Sequence, residues 1–271
     1  MRSRESSAAQ GRWSFDAVRL AVGTLSVLPV PPPTRVDRQV GAAAMMLAPL
    51  VGVLVAVPSA VLVWILERTD ASPVLRAALA VALLALLTRA MHLDGLADTA
   101  DGLGSREQAP RALEVMRRGD IGPFGVVTVV LVLLIQVSAL TSLVAGRHGV
   151  HAVLGGVTLS RLVLPLACRR GVPAARTDGL GATVADTVRR VQWISVLLVA
   201  LLAVVAGAVV IGVGYPRLVL AFGESALALL VGVGFCAWCV RRLGGVTGDV
   251  LGACVELTFT AVLVLAAFSP P

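Results

Sequence analysis

The chain has 271 residues, of which 57% are hydrophobic and 14% are charged, and it contains a further 27 glycines. Soluble domains average about 45–50% apolar residues with glycine included, so this composition excludes a soluble domain, and it excludes a disordered chain as well. All 23 basic residues are arginines, and the net charge of +7 suits anionic lipid and cytoplasmic loops better than nucleic acid in such a chain. We expect an all-α, polytopic membrane protein.

About seven segments approach the roughly 20 apolar residues that a helix needs to cross the hydrocarbon. In chain order they are 40–66, 74–90, 121–145, 150–167, 193–213, 218–240 and 246–268. Residues 20–30 are too short to span and run into Pro29 and Pro31 to Pro33, so they predict an interfacial or re-entrant segment. Residues 1–15 are expected to be a flexible tail, and residues 1–271 a single domain.

The arginines test this division, since cytoplasmic loops carry the excess of basic residues. Arg76 and Arg89 lie near the two ends of the second segment and are counted with the adjoining gaps, whereas Arg161 lies within the fourth segment. Alternate gaps, starting with the N-terminus, then hold 18 arginines, and the remaining gaps hold 4. The split predicts a cytoplasmic N-terminus. In the sixth segment Cys236 and Cys239 form a C-x-x-C pair without a nearby histidine, which we interpret as small buried residues rather than zinc ligands.

The densest acidic cluster follows the second segment and comprises His92, Asp94, Asp98 and Asp101. On a helix the three aspartates stand at i, i+4 and i+7 on one face. Carboxylates this close repel one another by about 1–4 kcal/mol per contact, and a divalent cation with oxygen ligands, such as Mg²⁺, removes that cost. A solvated loop is the alternative, because Asp-Gly occurs twice here. His92 is either a general base or a buried helix-end residue.

Basic and acidic groups on the same predicted side complete the candidate site. Arg117 and Arg118 flank a glycine-rich turn that suits phosphate, and Arg176 precedes a second such turn; membrane anchoring explains these arginines equally well. Asp249 and Glu256 stand at i, i+7 in the last segment. Ionisable groups inside a span are costly and indicate function, and Arg161 in the fourth segment could be their counter-charge. Together these groups indicate metal-assisted transfer on a diphosphate-like substrate.

At these residues the sequence resembles the cobalamin synthase (adenosylcobinamide-GDP ribazoletransferase) family. Its H-x-D-G-x-A-D-T-x-D-G motif is similar to residues 92–102, and its L-G-G-x-T-G-D-x-L-G-A-x-x-E motif is similar to residues 243–256. The family's A-R-x-x-G-L-G resembles residues 175–181, and L-P-V-P resembles residues 28–31. The likeness runs from about residue 20 to residue 260.

The resemblance implies joining of adenosylcobinamide-GDP and α-ribazole, or its 5′-phosphate, with release of GMP and dependence on Mg²⁺. It implies that Asp94, Asp98 and Asp101 hold the metal and that Asp249 and Glu256 complete a second site. His92 or a carboxylate would orient the ribazole hydroxyl. Arg117, Arg118, Arg176 and Thr247 would contact substrate. The resemblance also implies a location in a bacterial inner membrane, with the site loops in the cytoplasm and the lipid bilayer as a partner. An association with other corrinoid-assembly enzymes is a further expectation.

Three departures from the family pattern concern single residues. The family often reads M-[KR]-D-S-R-I-G-x-x-G, whereas residues 116–122 exchange the order of acid and base. The common Thr-Arg before L-P-V-P is Ser26-Val27, and a second glutamate after Glu256 is replaced by Phe259.

Two other functions are compatible with the residues alone. One is a CDP-alcohol type phosphotransferase, although Ala97 is followed by Asp98 rather than by the arginine of that motif. The other is a cation-coupled transporter whose pathway includes Asp249, Glu256 and Arg161.

Overall fold

The structure is a computed structural model of the chain, and it describes residues 15–210 and 214–269. Within these ranges the chain is predominantly helical and has no β-strand, only two isolated backbone bridges. The described helices are α1 (15–25), α2 (Arg38–Leu66), α3 (Pro73–Leu87), α4 (Met91–Gly104), α5 (Ala109–Val115), α6 (Pro123–Ala145), α7 (Gly149–Arg161), α8 (Val163–Ala167), α9 (Gly179–Val184), α10 (Arg190–Val210), α11 (Tyr215–Leu243) and α12 (Gly248–Phe268). The all-α prediction is confirmed.

Five helical segments among the described residues are long and apolar enough to cross a membrane: α2, α6, α7 continued by α8, α11 and α12. The pair α3 and α4 passes the same test together, but the two helices are bent by 87° relative to each other. Helix α10 is apolar over Arg190–Ala206, and the end of its predicted span, 211–213, lies outside the described residues. The multi-pass architecture agrees with the prediction.

The bend between α3 and α4 shortens the second predicted span, because α3 ends at Leu87 rather than at residue 90. Arg89 and Ala90 adopt left-handed backbone angles, with φ of 54° and 53°. This conformation costs roughly 1–2 kcal/mol for each non-glycine residue, so tertiary contacts must hold it. One of them is a hydrogen bond of 3.1 Å from the Arg89 guanidinium to the Gly23 carbonyl.

The short N-terminal segment forms α1 and an extended stretch that folds back along it. Ala17, Leu20 and Ala21 are buried against the bundle, and Thr34 donates its N–H and its hydroxyl to Asp16, each at 2.8 Å. These two hydrogen bonds, together with the charge of Arg19, hold the pKa of Asp16 below its usual value. The connection is therefore present at neutral pH and is lost only on acidification. Residues 1–14 of the expected tail lie outside the described residues.

Helix α12 is the centre of the bundle, and it packs against α4, α6, α7 and α11. Helix α2 packs mainly along α7, and α10 lies at the edge against α2. Buried apolar residues from α1 to α12 form a continuous cluster. Cys236 and Cys239 are buried free thiols within it.

One end of the bundle, here called the site end, gathers α4, α9, the start of α2, the start of α12 and the loops between α5 and α6 and between α8 and α9. Arg38 at the start of α2 donates to the Ala185 carbonyl at 2.9 Å. A Cβ atom on Gly41 would lie 3.0 Å from the Thr183 carbonyl oxygen, so α2 closely approaches α9. The end at which α2 finishes and α3 begins is the opposite end.

Candidate active site

Two carboxylates of the predicted cluster lie on the open face of α4. Asp94 is exposed and Asp98 is half-buried. In the described part of the chain neither side chain accepts a hydrogen bond or forms an ion pair within 4 Å. Because α4 follows the bend after Ala90, its polar face is directed along the site end rather than into the apolar core. These two carboxylates are available to a ligand.

Glycines at the crossing of α4 and α12 let a third carboxylate, that of Asp249, lie beside Asp94 and Asp98. A Cβ atom on Gly95 would lie 2.7 Å from the Asp249 carbonyl oxygen, and one on Gly252 would lie 3.2 Å from the His92 Cα. A side chain larger than that of glycine would press against the facing backbone at both positions. Small residues of this kind let membrane helices approach closely. The first turn of α12, with Asp249, therefore lies against the turn of α4 that carries Asp94 and Asp98.

Thr247 and Arg176 fix the position of Asp249. Thr247 is the N-cap of α12: its hydroxyl accepts the Val250 N–H at 3.2 Å and donates to Asp249 Oδ2 at 3.2 Å. Arg176 Nη1 lies 3.4 Å from the same oxygen, and Nη2 donates to the Leu113 carbonyl at 2.8 Å. Arg176 thus joins α5, α12 and its own loop, and its charge partly offsets the carboxylates.

The two predicted phosphate-binding turns meet at the surface of the site end. Arg117 forms an ion pair with Asp178, and both side chains are more than half exposed. Arg118 is also exposed. The second turn is held by backbone hydrogen bonds from Ala175 to the Val246 carbonyl and from Val246 to the Pro173 carbonyl, at 3.0 and 2.9 Å. These loops therefore bring the guanidinium groups of Arg117, Arg118 and Arg176 to the site end, where that of Arg176 pairs with Asp249.

Asp101 has a different set of partners from Asp94 and Asp98. Its carboxylate is buried and accepts the N–H groups of Gly122 and Gly125 at 2.7 and 2.8 Å. These donors belong to the unpaired first turn of α6, so Asp101 satisfies a helix N-terminus. Its proposed role as a metal ligand stays a prediction, and the contacts in the structure are those of a helix cap.

We expect Asp101→Asn to lower stability without changing the dependence on Mg²⁺ that the sequence predicts. An amide offers one oxygen acceptor in place of two, which leaves a buried N–H unpaired at a cost of about 1–3 kcal/mol. The measurements are thermal unfolding in detergent and the Mg²⁺ concentration that gives half-maximal activity. A raised half-maximal concentration with unchanged stability would instead identify Asp101 as a ligand.

His92 is buried at the start of α4, with 3% of its surface exposed, and neither ring nitrogen has a hydrogen-bond partner among the described residues. Its backbone packs against Gly252 of α12. A general base must reach the proton that it removes, and the ring is covered in this conformation. The catalytic role of His92 stays a prediction.

Glu256 lies deeper in the bundle, two turns or about 10 Å along α12 from Asp249. It lines a cavity of about 20 Å³ together with Arg161 and Gln136, a volume that holds one water molecule. Gln136 Nε2 donates to Glu256 Oε2 at 2.9 Å and to Thr260 at 3.0 Å. Arg161 donates to Ser160 and the Val157 carbonyl, and it interacts electrostatically with Glu256 without an ion pair within 4 Å.

We expect Arg161→Met and Glu256→Gln each to destabilise the fold, because either change leaves an uncompensated charge in the bundle, at about 3–5 kcal/mol. The double variant should recover at least half of the summed loss, since both charges are then removed. Denaturant unfolding of the detergent-solubilised chain measures the coupling. Strictly additive losses would show that the two residues do not compensate each other.

The structure thus brings Asp94, Asp98, Asp249, Arg176 and Thr247 together, and it places Glu256 and Asp101 in other surroundings. Sequence reasoning did not identify Gln136 as the partner of Glu256. A lone glutamine inside the apolar run of α6 was the available signal, because polar residues in spans usually have partners. It also did not identify Asp178 as the partner of Arg117.

The carboxylates fit a magnesium ion that also binds phosphate. Among the described residues no three His, Cys, Asp or Glu side chains are close enough to form a metal cage. Mg²⁺ is commonly held by one or two carboxylates, with water and substrate phosphates completing the octahedron. The two unpaired carboxylates of α4 provide such a partial site.

Comparisons with known proteins identify the family of the chain. The model of the family described as Cobalamin-5-phosphate synthase matches residues 17–267. The adenosylcobinamide-GDP ribazoletransferase of Frankia casuarinae is 40% identical over 266 residues, which cover 93% of this chain and 95% of that protein. The protein of the same name from Nocardioides sp. is 43% identical over 250 residues, covering 92% and 96%. No solved structure matches the chain. The chain therefore belongs to the cobalamin-5-phosphate synthase family, a family of enzymes in cobalamin synthesis.

Proposed function

We propose that the enzyme joins adenosylcobinamide-GDP with α-ribazole, or with α-ribazole 5′-phosphate, and releases GMP in a reaction that depends on Mg²⁺. The observation that carries the proposal is the convergence of Asp94 and Asp98 of α4 with Asp249 of α12 and Arg176 at one end of the bundle. A diphosphate needs both a metal ion held by carboxylates and guanidinium groups, and this end provides both. The names of the relatives support the choice of substrates.

The transfer forms one bond and breaks another at a single phosphorus atom. The ribazole hydroxyl oxygen attacks the phosphorus that is linked to cobinamide, the bond from that phosphorus to the bridging oxygen breaks, and GMP leaves with the bridging oxygen and its electron pair. Mg²⁺ bound by Asp94 and Asp98 would neutralise charge on the diphosphate. The hydroxyl proton would pass to a carboxylate oxygen of Asp94 or Asp98 that does not hold the metal, because these two side chains are accessible whereas His92 is buried.

The arginines of the site end act on the leaving group. Arg176 is held between the Leu113 carbonyl and Asp249, so it offers a preorganised positive charge near the carboxylates. Arg117 and Arg118, on the exposed turn, would bind the phosphate of the departing GMP, and Thr247 would orient Asp249 through its hydroxyl. We further propose that this end faces the cytoplasm, as the split of 18 and 4 arginines predicts.

The decisive experiment is an assay of GMP release by the full chain purified in detergent. Adenosylcobinamide-GDP is supplied with α-ribazole or α-ribazole 5′-phosphate, with Mg²⁺ or with EDTA. We expect corrinoid product and GMP in equal amounts, only with Mg²⁺, and no product when a CDP-alcohol replaces the corrinoid donor. A preparation that is folded and monodisperse but releases no GMP with either ribazole would overturn the proposal.

A further inference from the structure

A groove of about 350 Å³ lies between α2 and α7, away from the site. It is lined only by apolar side chains of the two helices: Val57, Ala60, Val61, Trp64, Val150 and Leu154. The residues lie in the last three turns of α2 and the first two turns of α7, so the groove is at the opposite end of the bundle from Asp94 and Asp98. Both helices are membrane-spanning segments, and the groove therefore opens toward lipid.

Trp64 and Arg68 mark the level at which the groove meets the membrane surface. Trp64 is half-exposed and lies within the last turn of α2, which is the position where tryptophan concentrates in membrane proteins. The Arg68 guanidinium stacks over its ring, with Cζ at 3.5 Å from the ring centroid. Arg68 also donates to the Trp64 carbonyl, so its side chain folds back toward the groove rather than outward into solvent.

Residues of both charge signs follow Trp64 within six positions of the chain. Arg68 has no ion pair within 4 Å among the described residues, and most of its five N–H donors are left for another acceptor. The neighbouring Glu67 has a buried Oε1 without a hydrogen-bond partner in the part of the chain that the structure describes, and the exposed Asp70 lies two residues beyond Arg68. A ligand with one phosphate and one ammonium group complements this pattern.

We infer that the groove binds a phosphatidylethanolamine molecule of the bilayer. One acyl chain lies along the apolar wall formed by Val57, Val61 and Leu154. Because lipid tails are as apolar as these side chains, the chain is held there by van der Waals packing, and the headgroup contacts decide which lipid binds. The phosphodiester receives hydrogen bonds from Arg68, and the ammonium group lies beside Glu67 and Asp70. The inference does not rest on the proposed transferase activity, since the groove and the site are at opposite ends of the bundle.

Native mass spectrometry of the full chain, released from nonionic detergent, tests the inference with dioleoyl phosphatidylethanolamine, dioleoyl phosphatidylglycerol and dioleoylglycerol as probes. We expect one phosphatidylethanolamine to bind about tenfold more tightly than phosphatidylglycerol, and dioleoylglycerol to bind more weakly still. Val61→Trp, which fills the groove, and Arg68→Ala, which removes the phosphate donor, should each weaken phosphatidylethanolamine binding about tenfold.

The matched controls are Val130→Trp, on the lipid-facing side of α6 and half-exposed, and Arg217→Ala, in the first turn of α11 at the same end of the bundle. Both should bind phosphatidylethanolamine as the unaltered chain does, and all four variants should elute as monodisperse protein. Equal affinity for the three lipids, or equal weakening by the groove and control variants, would overturn the inference.

Discussion

Replacing Asp94 or Asp98 by asparagine is expected to lower kcat/KM for GMP release by at least 100-fold, about 2.7 kcal/mol of transition-state stabilisation. These two carboxylates are on the open face of α4 and have no hydrogen-bond or ion-pair partner among the described residues, so the fold does not depend on them. Asparagine keeps the volume of the side chain but removes the charge that a divalent cation requires. Thermal unfolding should therefore stay within a few degrees of the unaltered chain.

The matched control is Glu107→Gln, which removes an exposed carboxylate from the same face of the protein and affects only an ion pair with Arg111 at 3.6 Å. Surface pairs of this kind contribute about 0–1 kcal/mol, so both activity and stability should be retained. A higher Mg²⁺ concentration should partly restore the Asp98→Asn enzyme, whereas it should not affect the control. Full Mg²⁺-dependent activity in both aspartate variants would refute the assignment of the metal site.

Gly95→Ala is expected to lower activity by about 100-fold and stability by about 1–3 kcal/mol. The added methyl would lie 2.7 Å from the Asp249 carbonyl oxygen and 2.9 Å from its Cα, and both are backbone atoms that a rotamer change cannot move away. Helices α4 and α12 must therefore separate at the position where Asp94 and Asp98 meet Asp249. A displacement of about 1 Å at a catalytic arrangement costs on the order of 100-fold in rate.

Gly155→Ala on α7 provides the control for this substitution, because apart from its own helix backbone and chain neighbours no heavy atom lies within 4 Å of the position that its Cβ would occupy. Alanine is favoured over glycine in a helix by about 1 kcal/mol, so this variant should be at least as stable as the parent and fully active. Measurement of GMP release together with thermal unfolding separates the two cases. If Gly95→Ala and Gly155→Ala behaved alike, the close approach of α4 and α12 would have no part in activity.

The spans were predictable from the sequence where hydrophobicity alone decides the structure. Helices α2, α6 and α12 agree with the predicted segments within about two residues at each end, since a run of about 20 apolar residues has few alternatives in a bilayer. The bend after α3 was not predictable, because Arg89 and Ala90 are not residues that favour left-handed angles, and packing imposes them.

The residue types of the candidate site were predictable from the sequence. Which of its carboxylates face a ligand and which cap a helix was not. The helical spacing of Asp94, Asp98 and Asp101 puts all three on one face, yet Asp101 caps α6 through Gly122 and Gly125. Asp101 differs because α6 packs against α4 at this position, and the helical spacing within α4 gives no information about that packing. Similarly, Glu256 and Gln136 are 120 residues apart in sequence, and only tertiary packing brings them together.

The right-angled turn after α3 has a consequence for the lipid around the enzyme. Helix α3 has 15 residues and is about 22 Å long, whereas the hydrocarbon layer is about 30 Å thick. Because the carboxylates of α4 need water, the bilayer must be thinned locally beside them, as it is next to other short hydrophobic segments. The enzyme would then form a shallow depression in which water reaches these carboxylates below the surrounding headgroups, and bilayers of longer acyl chains would resist that depression.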